Sequence, residues 1–404
     1  MTPYYYLMII ALILEGFLFL QILSNYRYAL KKYKKERNWY RPRTALIIPC
    51  KGIDCDFKKN ITSLIKQDYS NFLVYFIVEE KTDPAYEQLC ELKQQLAPFS
   101  KALDIQILIA GSGTESTCSQ KIHNLLYCYN RLSSDVEILA FADSDICARP
   151  EWLSHLVYPL RQSKVGATSG YRWYVPKRNN LATLALSAIN AKFAQLFGNT
   201  VFNQAWGGSM AIKVDTFKAL GVDKSWTTAL SDDLCLSFLV KRAGKKIAYV
   251  PACLVATYEA TTWPRLYEFC RRQFLITRIS RPRSWWSTLI TSIITIFGIW
   301  VGTLVAFYAV LAGNKNFPIL FIMPAFFCFA QLTFAVLRQK MIAQLLEDEL
   351  PGMKRAMIAD ILLFWLWSPL LFFFIVSSAF GRTITWRGIK YKLLSPTKTI
   401  IIID

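Results

Sequence analysis

Histidine is nearly absent: His123 and His155 are the only two in 404 residues, and none of the ten cysteines belongs to a CxxC pair. So few ligands cannot build a zinc-type cluster. The cysteines are scattered and mostly sit in apolar surroundings, which reads as reduced thiols facing the cytosol, with a disulfide framework as the alternative. The sequence also lacks GxGxxG, GxxxxGK[ST] and GxSxG, which removes the common dinucleotide, P-loop and hydrolase readings. Charge is sparse at 19% of residues, and acidic charge is the scarcer kind, 28 Asp+Glu against 47 Lys+Arg, for a net +19.

What fills the chain instead is hydrophobic: 53% of residues, 15% aromatic, with a mean hydropathy of +0.27. This excludes a disordered chain and a collagen-like repeat. A basic, apolar protein of this size reads as a membrane protein with a soluble part working close to anionic headgroups.

Tyr4–Leu23 is a nearly unbroken apolar run, interrupted by Glu15 and Gly16 and long enough to cross a bilayer. It has neither the positive n-region nor the small-residue cleavage site of a signal peptide, so it is expected to stay as an anchor. Arg27, Lys31, Lys32, Lys34, Lys35, Arg37, Arg41 and Arg43 follow it and place the next region in the cytosol. Glu15 reads either as a functional carboxylate or as a packed or snorkelling residue. A second apolar block holds three candidate spans, Trp286–Ala312, Phe317–Leu337 and Ile358–Phe380, with a turn at Asn314-Lys315-Asn316 and kinks expected at Pro318, Pro324 and Pro369. One plus three crossings put the C-terminus outside, whereas Arg382, Arg387, Lys390, Lys392 and Lys398 would hold it inside. Three or four crossings are therefore expected, with one segment re-entrant or the tail outside the rule.

Between the two blocks, short β-branched runs (Ala45–Pro49, Val74–Val78, Ile105–Ile109, Val136–Phe141) alternate with helical stretches (Lys58–Gln67, Tyr86–Gln95, Gln120–Leu132). The alternation predicts an α/β domain with a mostly parallel sheet, whose ligands bind beyond the carboxyl ends of the strands. The informative residues follow those ends: Cys50-Lys51-Gly52, Glu79-Glu80-Lys81-Thr82-Asp83 and Asp143-Ser144-Asp145. Two carboxylates one residue apart at a strand end can hold a hard divalent cation against phosphate oxygens; an Asx-rich turn is the plain alternative. Ser231 or Asp232 fits the N-cap of a helix over Leu234–Arg242, and a carboxylate there can act as a general base.

Arg265, Arg271, Arg272, Arg278, Arg281 and Arg283 are mixed with Trp263, Tyr267, Phe269, Phe274, Trp285 and Trp286. That mixture suits an interfacial helix or a phosphate clamp, and its place beside a span ranks nucleic acid last. Ala182–Val201 reads as an amphipathic helix at the surface. Trp206-Gly207-Gly208-Ser209-Met210 reads as a turn, either permitting close backbone approach of a ligand or simply entering a strand.

Taken together these motifs resemble the membrane-embedded family 2/family 21 glycosyltransferases, especially ceramide glucosyltransferases and related bacterial lipid glucosyltransferases. The residues are Ile48-Pro49-Cys50-Lys51-Gly52, Lys66-Gln67-Asp68-Tyr69, Asp83-Pro84-Ala85, Lys121-Ile122-His123-Asn124-Leu125, Asp143-Ser144-Asp145, Trp206-Gly207-Gly208-Ser209-Met210, Asp232-Asp233 and Arg272-Gln273. The tail Thr385-Trp386-Arg387-Gly388-Ile389-Lys390-Tyr391 resembles the WRGxxY ending of the same group.

The resemblance implies a GT-A (Rossmann-like) domain over residues 41–260 on a membrane platform. An N-terminal transmembrane helix (1–25), an interfacial segment (261–286), C-terminal transmembrane helices (287–380) and a basic tail (381–404) complete it. It implies inverting transfer of glucose from UDP-glucose to a lipid hydroxyl such as that of ceramide, with Mg²⁺ or Mn²⁺ as cofactor and no nucleic-acid partner. By the same resemblance, Pro49, Lys51, Gly52, Glu80, Lys121 and Asp143 bind the nucleotide sugar, and Asp143 and Asp145 bind the metal. Asp233 is the catalytic base, while Trp206, Gly207, Asp232, Arg272 and Gln273 lie toward the acceptor and diphosphate. Glu80 stands where the group has aspartate. Arg272-Gln273-Phe274-Leu275-Ile276 lacks the terminal Arg-Trp of the processive polysaccharide synthases, which implies a single transfer. A polyprenyl phosphate, diacylglycerol or hopanoid-type acceptor is the alternative within this chemistry, and a non-enzymatic membrane adaptor the alternative outside it.

Overall fold

The computed structural model describes residues 2–33, 39–113, 117–315, 317–386 and 388–402. Lys34, Lys35 and Arg37 of the basic stretch, Asn316 of the expected turn and Arg387 of the tail motif lie outside them. The chain opens on helix α1 (Thr2–Tyr33) and then alternates as the apolar runs predict: β1 (Thr44–Pro49), α2 (Phe57–Ile65), β2 (Phe72–Val78), α3 (Pro84–Leu96), β3 (Asp104–Ile109), α4 (Gln120–Tyr129) and β4 (Ile138–Ala142). A short β5 (Ile146–Cys147), α5 (Trp152–Val157), the long β6 (Val165–Pro176) and α6 (Leu181–Ala194) follow. Next come β7 (Ser209–Lys213), α7 (Val214–Ala219), α8 (Val222–Trp226), α9 (Asp232–Arg242) and β8 (Lys246–Glu259).

The eight strands form one sheet in the order β3-β2-β1-β4-β7-β6-β8-β5. β3, β2, β1 and β4 run parallel, with Ile47 opposite both Tyr75 and Phe141, so their carboxyl ends share one edge. β7 pairs antiparallel with β4 and with β6. The central strands read as unbroken apolar runs because both faces are covered. Leu46 and Ile48 face α2, α3 and α5, whereas Ala45 and Ile47 face α4, α8 and α9.

Past the sheet come α10 (Trp263–Ser280), α11 (Pro282–Ile296), α12 (Gly302–Leu311), α13 (Phe317–Leu320), α14 (Ile322–Leu345), α15 (Leu350–Leu362) and α16 (Trp367–Ser377). Pro3–Tyr33, Pro282–Leu311 and Phe317–Leu345 are helices long and apolar enough to cross a membrane. The second bears Gly298 and Gly302 one turn apart, where a Cβ would meet the Phe327 ring at 2.4 Å and Met323 Cε at 2.8 Å. The small residues let α14 approach closely. The third expected span of the apolar block, Ile358–Phe380, is not one straight helix: it runs from the end of Glu347–Leu362 through Trp367–Ser377, two helices that meet at 91°. Pro369 sits in the first turn of α16, where its missing N–H costs nothing and its ring forbids continuation from Trp365.

One other expectation is corrected. The segment read as a surface amphipathic helix over Ala182–Val201 is α6, buried along almost its whole length and ending at Ala194. Its polar residues are not a wet face. Ser187 donates to the Tyr174 carbonyl (2.9 Å), Asn190 to the Arg172 carbonyl (2.9 Å), and Lys192 to Gln331 and Ser368 (both 3.2 Å). Asn25 of α1 caps its end by donating to the Gln195 and Leu196 carbonyls. The basic tail is folded. β9 (Thr383–Trp386), β10 (Ile389–Ser395) and β11 (Lys398–Ile402) form an antiparallel sheet docked on the loop before α9, with the Thr399 amide donating to the Thr228 carbonyl (2.8 Å).

Candidate functional site

The shared carboxyl edge of β1, β2 and β4 collects most of the residues the motifs single out. After β1, Lys51 pairs with Glu79 at 2.8 Å, and Gly52, at φ +69°, presents its amide to Asp83 Oδ1 at 2.9 Å. The same Asp83 oxygen caps α3 by accepting from the Ala85 amide, so one carboxylate ties the turn after β1 to the helix after β2. Glu80 is exposed on this edge, and its neighbour Glu79 makes the contact with Lys51. Pro49 ends β1 opposite Ile77 and shapes the turn without a polar contact of its own.

Beyond β4, Lys121 is the hub. Ser119 caps α4, which fixes Lys121 in the first turn with its ammonium 2.7 Å from Asp143 and 3.2 Å from Asp232. Burial works against that ammonium, but Asp143 and Asp232 outweigh it and hold its pKa above the usual lysine range. Asp232 opens α9 after the cap Ser231 and is buried; burial, opposed by Lys121, pushes its carboxyl up to about 6.

Asp233 binds differently. Its Oδ1 accepts from the Leu234 amide (2.7 Å) and the Ser231 hydroxyl, and its Oδ2 accepts from the Gly207 amide (3.0 Å). A carboxylate offers about four lone-pair positions, so one on Oδ2 remains open.

Glycine at 207 and 208 is dictated by this packing. A Cβ on Gly207 would meet Asp232 Oδ2 at 2.4 Å and Lys121 Nζ at 2.8 Å; one on Gly208 would meet the Trp206 ring at 2.3 Å and Asp143 Oδ2 at 2.8 Å. The turn enters β7, and its backbone lies directly against the charged cluster.

Asp145 completes the group. Its Oδ1 is buried without a hydrogen-bond partner, and burial, with Asp143 adding and Arg172 opposing, pushes its carboxyl up to about 7. An orphaned carboxylate oxygen beside a second carboxylate fits a hard divalent cation. No group of three His, Cys, Asp or Glu side chains able to hold a metal occurs among the described residues. The protein would then supply Asp143 and Asp145, leaving the remaining positions to phosphate oxygens and water, as Mg²⁺ commonly accepts.

Arg172 and Asp54 escaped the motif reading. Arg172 interrupts an aromatic stretch of β6 and lies over the rings of Tyr174 (4.8 Å), Trp206 and Phe269 (both 5.5 Å). A lone arginine inside a buried strand was the available signal. Asp54 accepts from the Ser144 hydroxyl at 3.0 Å, holding the residue between the two carboxylates; nothing in the sequence marks it. Arg272 lies on α10 against Phe269 (5.6 Å), the ring that also faces Arg172, and Gln273 is exposed beside it.

Among solved structures, the chain is similar to the mannosyltransferase PcManGT from Pyrobaculum calidifontis in complex with GDP-Man and Mn²⁺. The two share 16% identity at a TM-score of 0.46, covering 92% of this chain and 97% of that one. It is also similar to GalNAc-T7 with UDP, GalNAc and Mn²⁺, at 13% identity and a TM-score of 0.38, covering 60% of this chain and 51% of that one. The model of glycosyl transferase family 21 matches residues 6–399, essentially the whole molecule with its membrane-length helices, its sheet and its charged edge, and the chain belongs to that family.

Proposed function

We propose that this glycosyltransferase moves one hexose, glucose from UDP-glucose, onto a hydroxyl of a ceramide-like membrane lipid, with inversion and without chain building. The sheet's charged edge would face the cytosolic leaflet. The observation that carries the reading is the meeting of Lys121, Asp143, Asp145, Asp232 and Asp233 around Gly207, in a chain whose helices are long and apolar enough to reach a lipid acceptor.

Asp233 Oδ2, with its open lone pair, takes the proton from the acceptor hydroxyl as that oxygen attacks the anomeric carbon. One displacement from the face opposite the departing diphosphate inverts the configuration, so an α-linked donor gives a β-linked lipid. The amide of Gly207 and the first turn of α9 keep the Asp233 carboxylate oriented. Lys121 neutralises part of Asp143 and Asp232, so that a diphosphate meets less repulsion there. A divalent cation on Asp143 and Asp145 would supply neutralisation of charge on the departing diphosphate. Lys51, Gly52 and Glu80 line the edge toward the nucleotide, and Trp206, Arg272 and Gln273 the side toward the acceptor.

Transfer from labelled UDP-glucose to ceramide, diacylglycerol, a sterol-like lipid and polyprenyl phosphate, measured with the purified full chain, tests this directly. Ceramide is expected to be glucosylated, and Asp233→Asn is expected to lower turnover by about a hundredfold or more while UDP-glucose binding stays within about twofold. Exclusive labelling of polyprenyl phosphate, or unchanged turnover in Asp233→Asn, would overturn the acceptor or the base, respectively.

A further inference from the structure

Along α10 and the start of the tail, four cations gather with no acidic ion-pair partner among the described residues. Arg271 and Arg278 lie two turns apart on one face of α10, and Arg382 and Lys392 reach the same place from the tail. With Ile279, Ala379, Phe380, Gly381 and Thr383 they border a cleft of about 590 Å³, lined directly by Arg278, Arg382 and Lys392. The cleft is open to its surroundings rather than enclosed.

The ordinary explanation is capping, and it accounts for the hydrogen bonds but not for the charge. Arg271 donates to the Ser377 carbonyl (3.2 Å), Arg278 to the Gly381 carbonyl and Arg382 to the Leu394 carbonyl (3.2 Å). Those acceptors are neutral. Among the described residues no carboxylate stands within ion-pair distance of any of the four. Burial and then the adjacent Arg382 and Arg271 press the Arg278 guanidinium below its usual range, as expected where like charges crowd.

The place of the cleft indicates what relieves that crowding. It lies just past Ser377, the end of the apolar helix α16, where Trp285 donates to Ser378 (2.9 Å) and packs against the exposed Trp286. Phe380 is 78% exposed beside it. Exposed aromatics at the end of an apolar helix mark the headgroup layer. We propose that this cleft binds the phosphate headgroup of an anionic membrane phospholipid, held by Arg278, Arg382 and Lys392, with Phe380 against its glycerol and acyl portion. The proposal does not depend on which sugar or acceptor the sheet edge uses.

Native mass spectrometry of the purified full chain in detergent, with phosphatidylglycerol or phosphatidylcholine of identical acyl chains added, tests the proposal. Retained phosphatidylglycerol is expected to exceed phosphatidylcholine by about tenfold. Arg382→Gln with Lys392→Gln is expected to erase the difference, and both side chains are exposed, so folding is not at stake; an unchanged thermal melt verifies this. Arg278→Gln should act in the same direction. Equal retention of the two lipids, or a preference that survives the double substitution, overturns the proposal. So does loss of the preference in millimolar inorganic phosphate, which would assign the cleft to a soluble anion.

Discussion

Two buried clusters of charge, built from similar side chains, behave in opposite ways. In the helical platform, Glu15, Lys192, Arg338 and Asp360 number two carboxylates against two cations. Arg338 grips Asp360 in a fork at 2.6 and 2.5 Å, Gln339 adds a bond at 2.6 Å, and Gln331 links Glu15 (2.8 Å) to Lys192 (3.2 Å). At the sheet edge, among the described residues, Asp143, Asp145, Asp232 and Asp233 face Lys121 and Arg172, with carboxylates in excess. Charge that balances in a low-dielectric setting holds elements together; an excess of one sign is costly and persists where something else completes it. The platform cluster therefore reads as scaffold, and the edge cluster, on the proposed function, as the place where a cation and a diphosphate would bind.

The difference breaks most visibly at Asp145. Asparagine there removes the unpartnered oxygen's charge without changing the shape. Transfer is expected to fall by at least about a thousandfold, because the cation and the departing diphosphate lose their anchor. The thermal midpoint is expected to hold or rise, since like-charge crowding is relieved. A variant that unfolds while keeping its turnover per folded molecule would make Asp145 a structural residue.

Lys121→Met sharpens the contrast from the other side. It strands Asp143 and Asp232, whose side chains are 27% and 7% exposed, so it should cost both activity and about 3 kcal/mol of stability. Turnover should drop by about a hundredfold, measured alongside a thermal melt. Gly207→Ala comes next, because its methyl cannot coexist with Asp232 Oδ2 at 2.4 Å. Its expected signature is a weakened donor affinity together with lower turnover, while the sheet, which does not rest on this contact, keeps its far-ultraviolet circular dichroism.

How far the sequence reveals this arrangement depends on the range of the forces involved. The strands and helices up to β4 are legible because each is a local pattern of apolar residues, and the mixed α/β sheet with membrane-length helices matches the fold class those patterns suggest. Asp143, Asp145, Asp232 and Asp233 are legible as motifs at strand and helix ends. Arg172 and Asp54 are not, because their meaning comes from β6 and the β1 turn meeting the same edge. α6 misleads for the same reason: Ser187, Asn190 and Lys192 look solvent-facing until β6, α14 and α16 supply partners. In the tail, Tyr391 and Leu393 alternate with lysine and are buried against Leu275, Ile276 and Leu230, contacts that no local pattern announces.

The smallest expected effect is the most discriminating. Arg338→Met alone removes the ion-pair partner of Asp360 where both side chains are 1% exposed, and should cost about 3 kcal/mol with turnover per folded molecule unchanged. Arg338→Met combined with Asp360→Leu removes both charges and keeps the volume filled. The double variant then loses only the bond to the Gln339 amide, about 1 kcal/mol. Near-complete recovery in a thermal melt, with transfer intact, means that the platform pair is interchangeable with apolar packing. A double variant as unstable as the single one, or one that folds but no longer transfers sugar, would mean that platform charge is coupled to the edge, and the division between scaffold and site would fail.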